Sequence, residues 1–376
     1  MNQDMLTEIL SQPTMLEQSL VDVRHQADDL RIATSFRKIV LTGSGDSVIA
    51  ALALEALYRA NVDAEIRVMS SLQASRYEPF DAETLIIAIS VSGGVARTIE
   101  AVMRARAAGA QSLAIVAREG SELGTAAHEQ LLMASPLIRT TPHSRDYTAT
   151  LLALAVVLER LTGRRFKELE RWPEVTDGVL ERAFVELRRW TDDSPQTIFL
   201  GAGPDAATAR YAALKFWEGG AMQAIWDDLE EFAHGSQLMA APGQSVVMLA
   251  SGPGTGRALE FAPGMEALGL RVRLVTDRAD IVGPDNFCVP EARRTTLESP
   301  GHVPPDPGID LSHRCTSRDR SVPCDGWRRL RRTLPGDACG MDQALGDRSR
   351  RRVRPGLSGT TVRCRPRPAG PDLPSC

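Results

Sequence analysis

Lys215 and Glu218 stand three residues apart in Leu214-Lys215-Phe216-Trp217-Glu218-Gly219-Gly220, a spacing that puts both on one face of a helix. A little further on, Glu230-Glu231-Phe232-Ala233-His234-Gly235 supplies a histidine beside a glycine. A carboxylate can carry a proton between two adjacent carbons, while a histidine or lysine handles the sugar oxygens and opens the ring. Those are the residue types that aldose–ketose interconversion needs. The same residues could instead form a surface ion pair and a helix-capping histidine. Against that simpler reading, lysine is scarce in this chain, whose lysines are Lys38, Lys167 and Lys215, and a histidine flanked by glycine follows this pair.

A second group of residues suits an anion. Ser90-Val91-Ser92-Gly93-Gly94 follows an apolar run and precedes a helical stretch. Hydroxyls in a glycine-rich turn at a helix N-terminus can donate to phosphate, and the backbone amides supply the remaining hydrogen bonds. An ordinary strand-to-helix loop with a capping serine would look the same in isolation. Ser44 and Ser47, in Gly43-Ser44-Gly45-Asp46-Ser47, favour the anion site. Two such turns at the carboxyl ends of neighbouring parallel strands would face one crevice, where open α/β sheets bind ligands. The expected cradle is Ser44, Ser47, Ser90, Ser92 and Gly93, and the expected ligand is phosphorylated.

The elements that must position these groups come in two copies. Ile39-Val40-Leu41-Thr42-Gly43-Ser44-Gly45 and Ile198-Phe199-Leu200-Gly201-Ala202-Gly203 are each an apolar strand-like run that breaks into Gly-x-Gly before an alanine-rich helical stretch. A repeat of that size implies two α/β units of one design. In the first unit, strand-like runs fall at 38–42, 64–69, 85–90 and 112–116, with a weaker one at 130–133, and helical stretches at 47–59 and 95–108. A long apolar helix is expected over 147–161 and a charged helical bridge over 166–190. The second unit repeats the order, with strands at 197–200, 245–250, 271–276 and 285–289 and helices at 206–219 and 255–268. Phe261-Ala262-Pro263 should kink or restart the last helix. Residues 5–33 read as amphipathic helix, with Pro13 opening one segment. Strands alternating with helices argue for parallel sheets with covered faces.

Gly201-Ala202-Gly203-Pro204-Asp205-Ala206 formally satisfies the dinucleotide pattern Gly-x-Gly-x-x-Ala. Pro204 removes an amide that would help to bind pyrophosphate, and Val48 stands at the third position of the first copy, so nicotinamide chemistry is disfavoured.

At 376 residues and 43% hydrophobic, the chain can bury two cores. Its net charge of −4 gives no reason to expect nucleic acid or an anionic membrane as partner. With no apolar run of membrane-spanning length and no signal-peptide pattern at the start, the expected location is cytoplasmic. Of six cysteines only Cys288 precedes residue 300, and none forms a Cys-x-x-Cys pair, so no zinc or redox site is expected.

From about Ala292 the composition changes. Residues 296–376 contain 15 Arg but no Lys, Phe or Tyr, and Pro and Gly interrupt every helical or strand period. Such a segment builds no core. Scarce lysine points to a GC-rich coding region, which out of frame yields Arg, Pro, Gly, Ser and Cys. The expectation is therefore a shift of reading frame near residue 292, with a natural disordered tail as the alternative.

Taken together, these motifs resemble the tandem sugar isomerase (SIS) domain family, in particular the isomerase half of glucosamine-6-phosphate synthase and related amino-sugar-phosphate isomerases, deaminases and fructosamine-phosphate deglycases. The resemblance covers about residues 5–290. It rests on Met5-Leu6-Thr7-Glu8-Ile9-Leu10-Ser11-Gln12-Pro13, the Gly43–Ser47 turn, Ser90-Val91-Ser92-Gly93, Ser144-Arg145-Asp146-Tyr147-Thr148, Lys215–Glu218 and Glu231–Gly235. It implies two tandem flavodoxin-like α/β domains, over 38–165 and 166–291, after N-terminal helices over 1–37 and before an irregular tail over 292–376.

By the same resemblance, Glu218 looks like the enediol base, Lys215 like a supporting cation, and His234 like a ring-opening residue contributed across a homodimer interface. Glu231 joins the serines among the substrate-binding residues. The implied activity is isomerase, deaminase or deglycase chemistry on a phosphorylated sugar or amino sugar, without metal or nucleotide cofactor and without a glutaminase half. A non-catalytic sugar-phosphate-binding module is the competing reading. The family's Ser-Gln-Ser-Gly-Glu-Thr loop here has Val91, Gly94 and Val95 in place of Gln, Glu and Thr, which removes a phosphate-binding hydroxyl and a carboxylate. The family's C-terminal lysine has no counterpart in the lysine-free tail, which puts the activity of this version in question.

Overall fold

A computed structural model describes residues 3–133, 142–190, 194–220, 223–281, 283 and 285–289. The arginine- and proline-rich segment, the frame-shift expectation attached to it, and all cysteines but Cys288 lie outside these residues.

Two helices open the chain, α1 (Gln3–Leu10) and α2 (Gln12–Asp29), with Pro13 in the first turn of α2, where its missing N–H costs nothing. The first sheet then assembles from β1 (Lys38–Gly43), β2 (Glu65–Ser70), β3 (Thr84–Ile89), β4 (Gln111–Val116) and β5 (Glu129–Leu132). Its helices are α3 (Asp46–Asn61), α4 (Ser71–Arg76), α5 (Ala96–Ala107), α6 (Glu122–Ala126) and α7 (Arg145–Thr162). All strand pairs are parallel, in the order β2-β1-β3-β4-β5.

The second sheet contains β6 (Thr197–Gly201), β7 (Ala224–Asp228), β8 (Ser245–Ala250), β9 (Arg271–Thr276) and β10 (Asn286–Cys288). Around it lie α9 (Pro204–Gly220), α10 (Leu229–His234) and α11 (Thr255–Ala267), while α8 (Trp172–Glu186) packs chiefly against α2. Its order, β10-β9-β8-β6-β7, is the first sheet's order read from the other edge. The repeat seen in the sequence is thus a repeat of topology, the doubly wound arrangement in which the order reverses beside the first strand. The expected fold class is borne out.

The central strands are apolar on both faces because helices cover both. Ile39, Leu41, Leu85, Ile87 and Leu113 bury one face against α2, α3 and α7, while Ile86, Ala88, Ala114 and Val116 bury the other against α4, α5 and α6. Fully burying one such large side chain contributes roughly 1.5–3 kcal/mol. Ala207, Tyr211 and Leu214 of α9 pack against the first core, so a helix of the second unit is fastened to the first.

Three expectations differ from the structure. Strand β7 falls in a stretch that ends in Asp227-Asp228, where β propensity is poor, and it pairs along one side only, as an edge strand. Helix α11 continues through Pro263 rather than restarting there; its ring leaves the Leu259 carbonyl without its usual partner, one lost bond in 13 residues. The charged stretch 166–190 is not one helix, because short 3₁₀ turns at Lys167–Arg171 and Leu187–Trp190 flank α8.

Candidate active site

The Gly43-Ser44-Gly45 turn joins β1 to α3. A Cβ on Gly43 would lie 2.7 Å from Ser47 Cβ and 3.0 Å from the Ile89 carbonyl oxygen at the end of β3, and Gly45 has φ +58. Glycine at both positions lets the turn close against the neighbouring strand. Ser44 is exposed at this turn, whereas Ser47 is buried inside α3. The Ser44 hydroxyl meets Ser71 Oγ at 3.0 Å, and Ser71 Oγ lies 2.7 Å from Thr98 Oγ1 on α5. This hydroxyl chain was not foreseen, because Ser71 and Thr98 belong to separate helices with no motif between them.

The loop after β3 stands beside it, since β1 and β3 are neighbours. Ser90 is buried, and its hydroxyl accepts the Gly93 N–H at 3.1 Å. Ser92 is exposed and accepts the Gly94 N–H at 3.3 Å. Gly93 has φ +68, and a Cβ there would meet Ser121 Cβ at 2.3 Å. Two hydroxyls, Ser44 and Ser92, are therefore exposed beside adjacent strand ends, while Ser47 and Ser90 shape the turns from within.

Lys215 sits on α9 and is only 7% exposed. Its Nζ donates to Glu218 Oε2 at 2.7 Å and to Asp46 Oδ2 at 2.7 Å, and lies 5.1 Å from the centre of the Tyr211 ring. This is no surface ion pair. Asp46 is the first residue of α3, two positions after Ser44, so one ammonium joins the first Gly-x-Gly turn to the carboxylate of the second unit. Burial holds the Asp46 carboxyl above the usual carboxylate range, against the opposing pull of Lys215. In the sequence Asp46 stands out only as a carboxylate inside a loop otherwise suited to anions.

Around the pair, Tyr147 and Tyr211 stack at 3.9 Å, and burial raises both phenols above their ordinary range. Tyr211 donates to the Ser144 carbonyl at 3.4 Å. Helix α7, whose first turn holds Tyr147, is thereby tied to α9.

His234 is placed differently. It ends α10 with its side chain 70% exposed, and its Nε2 lies 3.3 Å from Glu230 Oε1. No hydrogen bond or ion pair joins it to Lys215 or Glu218 among the described residues. Glu231 is also exposed, with its N–H directed to Asp228 Oδ1 at 3.4 Å. Taken alone, the chain gives His234 a side-chain contact with Glu230 one turn earlier and, among the described residues, no bond to a helix-end carbonyl.

The second Gly-x-Gly turn is occupied internally. Gly203 has φ +57, matching Gly45, but Asp205 accepts the Ser251 N–H at 2.7 Å and its hydroxyl at 2.9 Å. Asp205 stands at the position of buried Ser47, and Ala202 replaces the exposed hydroxyl of Ser44. The two copies share a backbone and not a site.

Residues 32–160 match the family model described as SIS domain. This segment is a SIS domain. Beyond it, the chain is similar to glutamine–fructose-6-phosphate aminotransferase [isomerizing] of Pyrococcus horikoshii, 28% identical over 269 residues, covering 68% of this chain and 44% of that relative. The chain spans about half the length of the curated relatives it matches. The SIS domain and the second sheet together share the fold of the C-terminal domain of glucosamine-fructose-6-phosphate aminotransferase from Francisella tularensis, with TM-score 0.65 and 17% identity over 77% of this chain and 88% of that one. Glucosamine-6-phosphate deaminase from Thermotoga maritima has the same fold, with TM-score 0.65 and 15% identity over 76% of this chain and 87% of that one. No described helix is long and apolar enough to cross a membrane.

Proposed function

We propose that the chain binds a phosphorylated sugar or amino sugar and moves a proton between adjacent carbons, as a phosphosugar isomerase or an amino-sugar-phosphate deaminase/isomerase. The observation that supports this reading is the contact of Lys215 with both Glu218 and Asp46, a residue two positions from Ser44. Ser44, Ser92 and the amides around Gly93 receive the phosphate at the ends of β1 and β3, with Ser47 and Ser90 holding the turns in shape. Glu218 takes the carbon-bound proton, and Lys215 orients that carboxylate and balances the enediolate charge. The curated relatives act on fructose 6-phosphate by name, and one structural neighbour on glucosamine 6-phosphate, which supports this substrate class. Exposed His234 and Glu231 are available to complete the site of a second copy in a homodimer, His234 there opening the sugar ring.

The test uses Glu218→Gln. Carbon-bound deuterium exchange in heavy water should fall by roughly 10²–10⁴-fold, while fructose 6-phosphate and glucosamine 6-phosphate still raise the thermal midpoint. Retained exchange removes Glu218 from the mechanism. Binding without exchange in the unaltered chain would favour the non-catalytic sugar-phosphate module.

A further inference from the structure

His143 lies in the segment just before α7, outside every motif read from the sequence. Its Nδ1 is enclosed and makes no hydrogen bond. It lies 3.6 Å from Glu8 Oε1 and 3.7 Å from Asp146 Oδ2. Glu8 is 2% exposed, and its other oxygen is anchored, because Oε2 accepts the N–H of Ser144 at 2.6 Å and of Arg145 at 3.3 Å. That anchoring leaves Oε1 turned toward the imidazole. The His143 side chain nevertheless keeps 28% of its exposure, so the ring is open on the side away from Nδ1.

The imidazole is tied toward Lys215 and Glu218 through its neighbour Ser144, whose carbonyl accepts from Tyr211, over whose ring Lys215 lies. A carboxylate behind one ring nitrogen sets the tautomer and leaves the other nitrogen to exchange protons. Without substrate such contacts run longer than a hydrogen bond and tighten on binding. The groups facing this cluster are Glu8 from α1, Asp46 from α3, Asp146 and Tyr147 from α7, and Tyr211, Lys215 and Glu218 from α9.

We propose that His143, backed by Glu8, transfers the proton between the two oxygens of the enediol, within the same chain as Glu218. This rests on the phosphosugar reading above. Starting from the aldose, Glu218 takes the proton from C2, the C–H electron pair forms the C1=C2 bond, and O1 takes the proton of His143. His143 then removes the proton from O2, the C2=O bond forms, and Glu218 returns its proton to C1. No atom or electron is gained or lost.

The test measures deuterium exchange into fructose 6-phosphate against pH by NMR, for the full chain, His143→Gln, Glu8→Gln and His234→Asn. Loss of His143 should slow exchange about 100-fold and remove the alkaline limb of the profile, because the protonated imidazole is the required form for protonating O1. Glu8→Gln keeps an acceptor for Ser144 and Arg145, and it should slow exchange without removing that limb. Should His143→Gln fail to fold, His143→Asn takes its place. An alkaline limb unchanged in His143→Gln overturns the proposal, and so does a limb lost only in His234→Asn, both with Glu218 chemistry intact. Absence of exchange in the unaltered chain overturns the isomerase reading and this proposal with it.

Discussion

Lys215 Nζ donates to Asp46 Oδ2 at 2.7 Å, and through that contact a helix of the second sheet holds the first turn of a helix from the first sheet. The contact is largely buried, with Lys215 at 7% and Asp46 at 20% exposure. It fixes the distance between the serine turns and Glu218, and therefore the geometry of any reaction there.

Lys215→Met should leave two carboxylates facing each other without their shared cation. The expected loss is about 2 kcal/mol, below the ~3–5 kcal/mol of a fully buried pair because Glu218 keeps 30% exposure. The double variant Lys215→Met/Asp46→Asn should recover part of it. Chemical denaturation of the two singles and the double closes the cycle, and strict additivity would deny the coupling.

Ser90 and Ser92 should separate into different roles. Ser90→Ala removes one of two acceptors of the Gly93 N–H, leaving the Ser90 carbonyl at 3.0 Å, and should cost about 1 kcal/mol of stability as well as ligand affinity. Ser92→Ala should leave the thermal midpoint unchanged and weaken fructose 6-phosphate binding about tenfold, the loss of roughly one charge-assisted hydrogen bond. Equal affinity in both variants and the parent chain would place the phosphate elsewhere.

Asp46 should give the fold a pH dependence. Burial raises its carboxyl in the folded chain, so the native state holds that proton more tightly than the unfolded state does. Its ionisation therefore costs native stability as pH rises from the unfolded carboxylate range, near about 4, through the raised folded value. The stability of the parent chain relative to Asp46→Asn should thus be greatest at acid pH and decline toward neutrality. Urea denaturation of both chains at several pH values measures this, and a difference that grows with pH would reverse the sign.

Much of the fold was legible in the residues themselves. Ile39–Leu41, Leu85–Ile89 and Leu113–Val116 are apolar on both faces, which only a strand covered by helices tolerates, and the second copy of the glycine turn announced the second sheet. Ala224–Asp228 was missed because an edge strand buries little and can end in two aspartates. The pairing of Lys215 with Glu218 was readable from helical spacing. Its pairing with Asp46 was not, since no local pattern links residues so far apart.

The sequence by itself determined the two parallel sheets, the glycine turns and the types of residue able to move a proton, because hydrophobic period, turn chemistry and helical spacing are local. The tertiary structure alone decided which of those residues meet. Packing of α9 against the first core buries Lys215 between Asp46 and Glu218, the docking of α1 beside the start of α7 sets Glu8 behind His143, and α10 leaves His234 at the surface, since contacts between distant segments depend on how whole helices dock.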